Sequence, residues 1–313
     1  MNRRARGWLI VLAIVTALAL VAAMIWYVMQ LSAPTAEQAR DDTLSSESVL
    51  AVKIDNVAAP RPQTGLGAAE TIYVTPVEGG LTRLLAIYSG ELPDAIGPVR
   101  SARASDIELL AQYGYPTFAY SGAAPEVLAE LADAPLVPAS PSRSEGYYRE
   151  AERKTPHNLY VDPAALPSPD APPAQRVIQH GDAPAGGIVT ASHTTKYGSA
   201  TFDFTWLARE GWLISMDGTP VTTTEGGKLS AVTVVEQHVD VTSEQGPADA
   251  LGNRAPTYRT VGTGDATVLR NGRQFDTQWS RPSPDAPTRF TTTGGTPVPM
   301  GDGQIWILLV PNS

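Results

Sequence analysis

The chain contains no cysteine. That absence excludes disulfides, thiolate metal sites, cysteine nucleophiles and an anchor built on an acylated cysteine. Histidine is scarce too, with only His157, His180, His193 and His238 present. Their spacing matches no metal-ligand pattern, so neither a metal site nor a cofactor is expected. The sequence also lacks a Walker loop, a dinucleotide-binding glycine fingerprint, a Gly-x-Ser-x-Gly elbow and an EF-hand loop. Positive charge is in deficit. The formal net charge is −9 at pH 7 although the first residues are basic. The remainder is therefore distinctly acidic, which argues against nucleic acid as a partner but leaves room for a local basic pocket.

What is present begins with the amino-terminal segment. Arg3, Arg4 and Arg6 precede an uncharged, mostly apolar run from Trp8 to Met29. As a helix it would extend about 33 Å at about 1.5 Å per residue, enough to cross a bilayer. Arginines before it and Glu37, Asp41 and Asp42 after it predict a single-pass signal anchor with the N-terminus inside and the bulk outside. A cleaved signal peptide is the alternative, with Val21-Ala22-Ala23 as its small-residue site. The apolar run continues past that site to Met29, which favours the uncleaved anchor. The membrane is thus one expected partner, through residues 8–29.

The chain of 313 residues is long enough for two domains. Residues 1–31 read as cytoplasmic start and anchor, and 32–48 as a polar tether. Residues 49–161 read as an N-terminal α/β domain, 162–187 as a Pro-rich linker, and 188–313 as a smaller β-rich domain. The expected fold class is α+β. Strands are predicted at 49–54, 70–77 and 81–88, the last two joined by a tight Gly79-Gly80 turn. Helices are predicted over 102–113, with Ser101 as cap, and 125–131, with Pro125 in the first turn. In the second half, β-branched segments alternate with turn residues. Asp217-Gly218 and Asn271-Gly272 are strong hairpin signals. Trp206, Trp212, Trp279 and Trp306 read as packing residues rather than a sugar platform.

Two polar stretches stand out. Val77-Glu78-Gly79-Gly80-Leu81-Thr82-Arg83 is followed fourteen residues later by Gly97-Pro98-Val99-Arg100-Ser101-Ala102-Arg103. Arginine and glutamate are seldom buried without partners, so such a concentration points to a constructed polar site. Arg61, Arg83, Arg100 and Arg103 each carry a donor fork suited to phosphate or carboxylate. Pairing with Asp55, Glu78 and Asp106 is the structural alternative. Asp55-Asn56 reads either as a polar ligand pair or as a strand-end turn. Glu78, Asp106 and His157 are the candidate acid/base groups, and Ser101 is better explained as a cap than as a nucleophile.

Lys53-Ile54-Asp55-Asn56, Arg61-Pro62-Gln63-Thr64-Gly65-Leu66 and the two stretches above stand in the order and spacing of the YerB-like lipoprotein family, domain of unknown function 3048. Pro156-His157-Asn158-Leu159-Tyr160 resembles its later motif. Gly262-Thr263-Gly264, Asn271-Gly272, Gln278-Trp279 and Gly303-Gln304-Ile305-Trp306-Ile307 resemble, more weakly, its second domain. The resemblance spans roughly residues 49–310. It implies a bacterial envelope protein, and the family brings no agreed activity. Members are commonly lipid-anchored, and here a transmembrane segment stands where the acylated cysteine would be.

The resulting expectation is an extracytoplasmic binding or assembly module that recognises an anionic cell-wall ligand or an envelope protein. Its ligand-binding candidates are Asp55, Asn56, Arg61, Glu78, Thr82, Arg83, Arg100, Ser101, Arg103, His157 and Asn158. The alternatives are a hydrolase of an envelope glycan or phosphodiester, and a structural partner module. They differ in whether the motif side chains meet in one reachable hollow.

Overall fold

The computed structural model describes Met24 and residues 48–168, 177–242 and 254–312. The anchor expected over 8–29 lies, apart from Met24, outside the described residues. Among the described residues no helix is long and apolar enough to cross a membrane. The elements run β1 Leu50–Asp55, β2 Thr71–Pro76, β3 Thr82–Tyr88, α1 Ala104–Leu110, β4 Thr117–Ala119, α2 Pro125–Asp133, β5 Val137–Ala139, β6 Tyr147–Arg149 and β7 Leu159–Val161. After them come β8 Ile188–Val189, β9 Ser192–Lys196, β10 Thr201–Leu207, β11 Gly211–Met216, β12 Thr219–Pro220, β13 Ser230–Ala231 and β14 Thr233–Val239. The last are β15 Val241–Thr242, β16 Thr257–Tyr258, β17 Gly262–Arg270, β18 Arg273–Arg281, β19 Arg289–Thr292 and β20 Ile305–Pro311.

One eleven-stranded sheet unites both halves of the chain, in the order β19-β18-β17-β14-β20-β2-β3-β1-β4-β5, with β8 paired to β18. The final strand, β20, lies parallel to β14 on one side and to β2 on the other. This corrects the expected α+β class with its separate N-terminal α/β domain. The fold is β-rich, and its α-helices among the described residues are two, of 7 and 9 residues. The pattern over 102–113 is helical only in its middle, with a 3₁₀ turn at 111–113 taking its end. Local sequence also carries no sign that residues 305–311 pair with residues 71–74, because strand partners are chosen by tertiary packing.

Burial follows the strand period of two. Leu50, Val52, Ile54, Val74 and Leu84 face a second sheet, β12-β11-β10-β9, and pack on Phe202, Phe204, Trp212 and Ile214. Ala51, Tyr73, Leu85 and Ile87 point the other way, toward Leu109 and Leu110 of α1 and Val127 and Leu131 of α2. With cover on both faces, all six residues of β1 are buried. By the same alternation Lys53, Asp55, Thr75 and Arg83 belong to the helix-covered face, in the last rows of the sheet, where Asp55 pairs with Arg83 and Arg83 with Thr75.

The turns are those their residues demand. Gly79 and Gly80 hold φ of 68° and 71° between β2 and β3, which costs glycine little. Asp217-Gly218 and Asn271-Gly272 have positive φ at both positions, as the tight hairpins β11–β12 and β17–β18 require.

Candidate functional site

The polar motifs converge where β1, β2 and β3 run out from under their apolar cover. Lys53 and Asp106 form the floor. Neither has any exposed surface, and Lys53 Nζ lies 2.5 Å from Asp106 Oδ1. Lys53 also donates to Thr75 Oγ1 at 2.8 Å, and the Tyr258 hydroxyl donates to Asp106 Oδ1 at 3.0 Å. The other Asp106 oxygen accepts the Arg103 backbone N–H at 2.8 Å and so fastens the start of α1. Burial, only partly offset by Asp106, pushes the Lys53 ammonium down to about 8. Asp106 faces protein alone.

Above this floor lie three arginines and two carboxylates. Arg103 grips Glu78 with two nitrogens, Nε at 2.7 Å from Oε1 and Nη2 donating to Oε2 at 2.7 Å. Arg100 Nε sits 3.0 Å from Asp55 Oδ2, although its N–H is not aimed along a hydrogen bond. The same oxygen meets His157 Nδ1 at 2.7 Å. Arg83 differs from its neighbours. It is 9 % exposed, the one hydrogen bond of its guanidinium among the described residues runs from Nη1 to the Ser101 carbonyl at 2.6 Å, and it has no ion-pair partner among them. Burial foremost, then the charges of Arg103 and Arg100, pushes its guanidinium down to about 10, so it stays protonated at neutral pH. Lys53 and Asp106 cancel, and Arg83, Arg100 and Arg103 against Asp55 and Glu78 leave one positive charge in excess.

The structure thus brings together Asp55, Glu78, Arg83, Arg100, Ser101, Arg103 and His157. Asn56 and Thr82 lie alongside, Asn56 Nδ2 donating to Thr82 Oγ1 at 2.8 Å, and tie the end of β1 to the start of β3. Two candidates turn elsewhere. Arg61 donates to the Asn56 carbonyl and reaches Asp217 of the β11–β12 hairpin, both at 2.9 Å. Asn158 accepts from Arg149 Nη1 at 2.7 Å, inside the β6–β7 hairpin. Ser101 is not the cap of α1, since Arg103 holds that position. Its hydroxyl faces that of Ser121 at 3.4 Å. No group of histidine and carboxylate side chains among the described residues is arranged to hold a metal.

Lys53 and Tyr258 carry no individual role in the sequence reading. The signal for Lys53 was a single charge inside an apolar strand, Val49 to Ile54. Nothing local marked Tyr258, which arrives from the other half of the chain. The motif glycine Gly97 has a packing reason, because a Cβ there would lie 2.5 Å from the Tyr160 ring. That approach brings the 97–103 loop close to β7, and Val99 N–H donates to the Leu159 carbonyl at 2.6 Å.

Arg100 also borders a half-open hollow of about 450 Å³, shared with Ser121, Glu145, Tyr147, Tyr148 and Arg149. Tyr148 is 40 % exposed and is backed by the Tyr160 ring at 5.9 Å, inclined by 28°.

Residues 34–172 and 192–307 match, respectively, the N-terminal and C-terminal domains described as "Protein of unknown function (DUF3048)". The chain belongs to the DUF3048 family. A relative named "Putative lipoprotein YerB", from Bacillus subtilis strain 168, is 23 % identical over 312 residues, covering 90 % of this chain and 84 % of its own. The crystal structure of Bacillus subtilis YerB superposes with a TM-score of 0.70 at 21 % identity, over 86 % of this chain and 92 % of that one. The shared architecture is thereby the DUF3048 fold.

Proposed function

We propose that this DUF3048 protein is a membrane-anchored, extracytoplasmic binding or assembly module of the bacterial envelope, and that it holds an anionic, phosphate- or carboxylate-bearing ligand at Arg83. The location is supported by the lipoprotein name of its Bacillus subtilis relative and by the basic start and apolar run of residues 3–29. One observation carries the ligand reading. Arg83 is a nearly buried guanidinium without an acid partner among the described residues, flanked by two arginines already held by Asp55 and Glu78. A guanidinium has five N–H donors, and burying its charge is costly unless an anion answers it. Asp55 and Glu78 fix their arginines in place, which lowers the ordering cost of binding.

Titration calorimetry of the full-length protein in detergent with inorganic phosphate tests this. Arg83→Gln should weaken binding at least tenfold, and Arg83→Lys should restore part of it, since lysine keeps the charge and loses the fork. Equal affinity in the wild type and Arg83→Gln would end the proposal.

A hydrolase of an envelope glycan or phosphodiester is the second reading. It draws on the Asp55–His157 contact, in which a carboxylate orients an imidazole that is 27 % exposed. On that reading His157→Gln retains binding and loses turnover, while the binding-module reading expects no turnover in either protein.

A further inference from the structure

The anion site has a neighbour whose chemistry differs from its own. The hollow beside Arg100 is neither apolar nor purely charged. Its walls offer the Ser121 hydroxyl, the Glu145 carboxylate, the Arg149 fork and the rings of Tyr147 and Tyr148. Its volume of about 450 Å³ lies within the roughly 300–1,000 Å³ of small-ligand sites. Aliphatic lining is confined to Leu159 and two prolines, Pro141 and Pro156, which is too little to seat a lipid chain or an apolar peptide side chain. A pyranose ring fits such a wall. Its C–H face rests on an aromatic ring, and its hydroxyls exchange hydrogen bonds with serine, carboxylate and guanidinium groups.

Two features preorganise the hollow. Tyr148 is backed by the inclined ring of Tyr160, which is also met by the Arg153 guanidinium at 5.7 Å. Arg149 is held by Asn158 through one nitrogen and has no ion-pair partner among the described residues. Arg100 links the two places. It borders the hollow, and its charge acts directly on Arg83. The Arg100 carbonyl further accepts the Ser121 N–H at 2.9 Å, which ties the wall of the hollow to the arginine loop.

We propose that the hollow is a saccharide subsite of the anion site, so that the ligand is a glycan unit whose charged substituent meets Arg83 and Arg100 while the adjoining ring lies against Tyr148 and Arg149. This rests on the reading of Arg83 as an anion holder. It adds a substrate class, an acidic sugar, and a second set of residues that select it.

Calorimetry of the full-length protein with five probes tests the assignment: inorganic phosphate, glucose 1-phosphate, glucuronic acid, uncharged glucose and the dipeptide Ala-Ala. Glucose 1-phosphate should bind at least tenfold more tightly than inorganic phosphate. Tyr148→Ala should erase that advantage while leaving inorganic phosphate binding unchanged, and Tyr148→Phe, which keeps the ring, should retain most of it. Arg83→Gln should weaken both phosphates. Glucuronic acid outranking glucose 1-phosphate would make the substituent a carboxylate and still support the subsite. Equal binding of glucose 1-phosphate and inorganic phosphate, with Tyr148→Ala silent, would overturn the saccharide subsite and leave the anion site standing. Tighter binding of the carboxylate-ended peptide Ala-Ala than of either acidic sugar would overturn it as well. Binding of none of the probes would remove both readings together.

Discussion

At the scale of single residues, the site is a layered arrangement of charge in which each layer limits the next. Lys53 and Asp106 are sealed beneath it at 2.5 Å. Removing one member of a buried pair leaves the other uncompensated, at a cost of about 3–5 kcal/mol, whereas replacing both with apolar groups of similar volume is often nearly neutral. Lys53→Met and Asp106→Leu should therefore each lower the midpoint of urea unfolding sharply, and the double variant should recover most of the loss. Losses that simply add would show that the pair is not a unit. Much of the layer above this pair was legible in sequence. The glycine- and proline-punctuated motifs pointed to Glu78, Arg83, Arg100 and Arg103, with Asp55 as a possible pairing partner, and the structure places these five side by side. Which arginine lacks an acid partner among the described residues was not legible, because pairing is decided by loops that meet in space. Asp106 and Glu78 show the limit of residue type as a guide. Both were candidate acid/base groups, yet Glu78 is paired with Arg103, and Asp106 with Lys53, the Tyr258 hydroxyl and the Arg103 backbone N–H.

Among the elements, β9 and β14 show how the two sheets are clipped together. His193 Nε2 lies 2.9 Å from Glu236 Oε2, Thr195 Oγ1 donates to the same oxygen at 2.5 Å, and His238 Nε2 lies 3.2 Å from Oε1. Burial alone would raise the Glu236 carboxyl, but the hydrogen bonds from His193 and Thr195, with the charges of His193 and His238, outweigh it and hold the group below its usual 4.5. A carboxyl that is more acidic in the folded state than in the unfolded chain stabilises the fold above the unfolded value. That contribution is lost as pH falls through the folded value. Glu236→Gln should thus be less stable than the wild type at pH 7, and the gap should narrow as pH drops below about 4.5. Thermal unfolding followed by circular dichroism between pH 7 and pH 3 measures it, and a gap of constant size would refute the clip. Strand positions such as 211–216 and the turns at Asp217-Gly218 and Asn271-Gly272 were readable because alternation and turn chemistry are local. The short strands β5, β6 and β7 were not, since three residues are too few to show a period.

For the molecule as a whole, the two halves of the sequence complete one sheet. Ile305, Trp306, Ile307, Leu308 and Leu309 are all buried between β2 and β14. Deleting residues 305–311 should expose the edges of both neighbours and abolish cooperative unfolding throughout. Hydrogen exchange should then show protection lost in β2 and β3 as well as in β14. Retained protection in β2 and β3 would mean that the first half folds independently. The α+β expectation failed at this scale for a physical reason. Alternation tells which face of a strand is buried, but not which strand lies beside it.

The placement of β20 also sets an order of events in time. A polypeptide emerges from the ribosome amino end first, so Thr71–Val74 is made long before Ile305–Leu308, its parallel neighbour. Contacts between such distant positions close the largest loops, and proteins that depend on them fold slowly. The open edge of β2 then persists throughout synthesis as a template for unwanted strand addition. A chaperone that shields Thr71–Pro76 until the carboxyl end is released should therefore raise the yield of native protein more than one acting on any other strand of the first half.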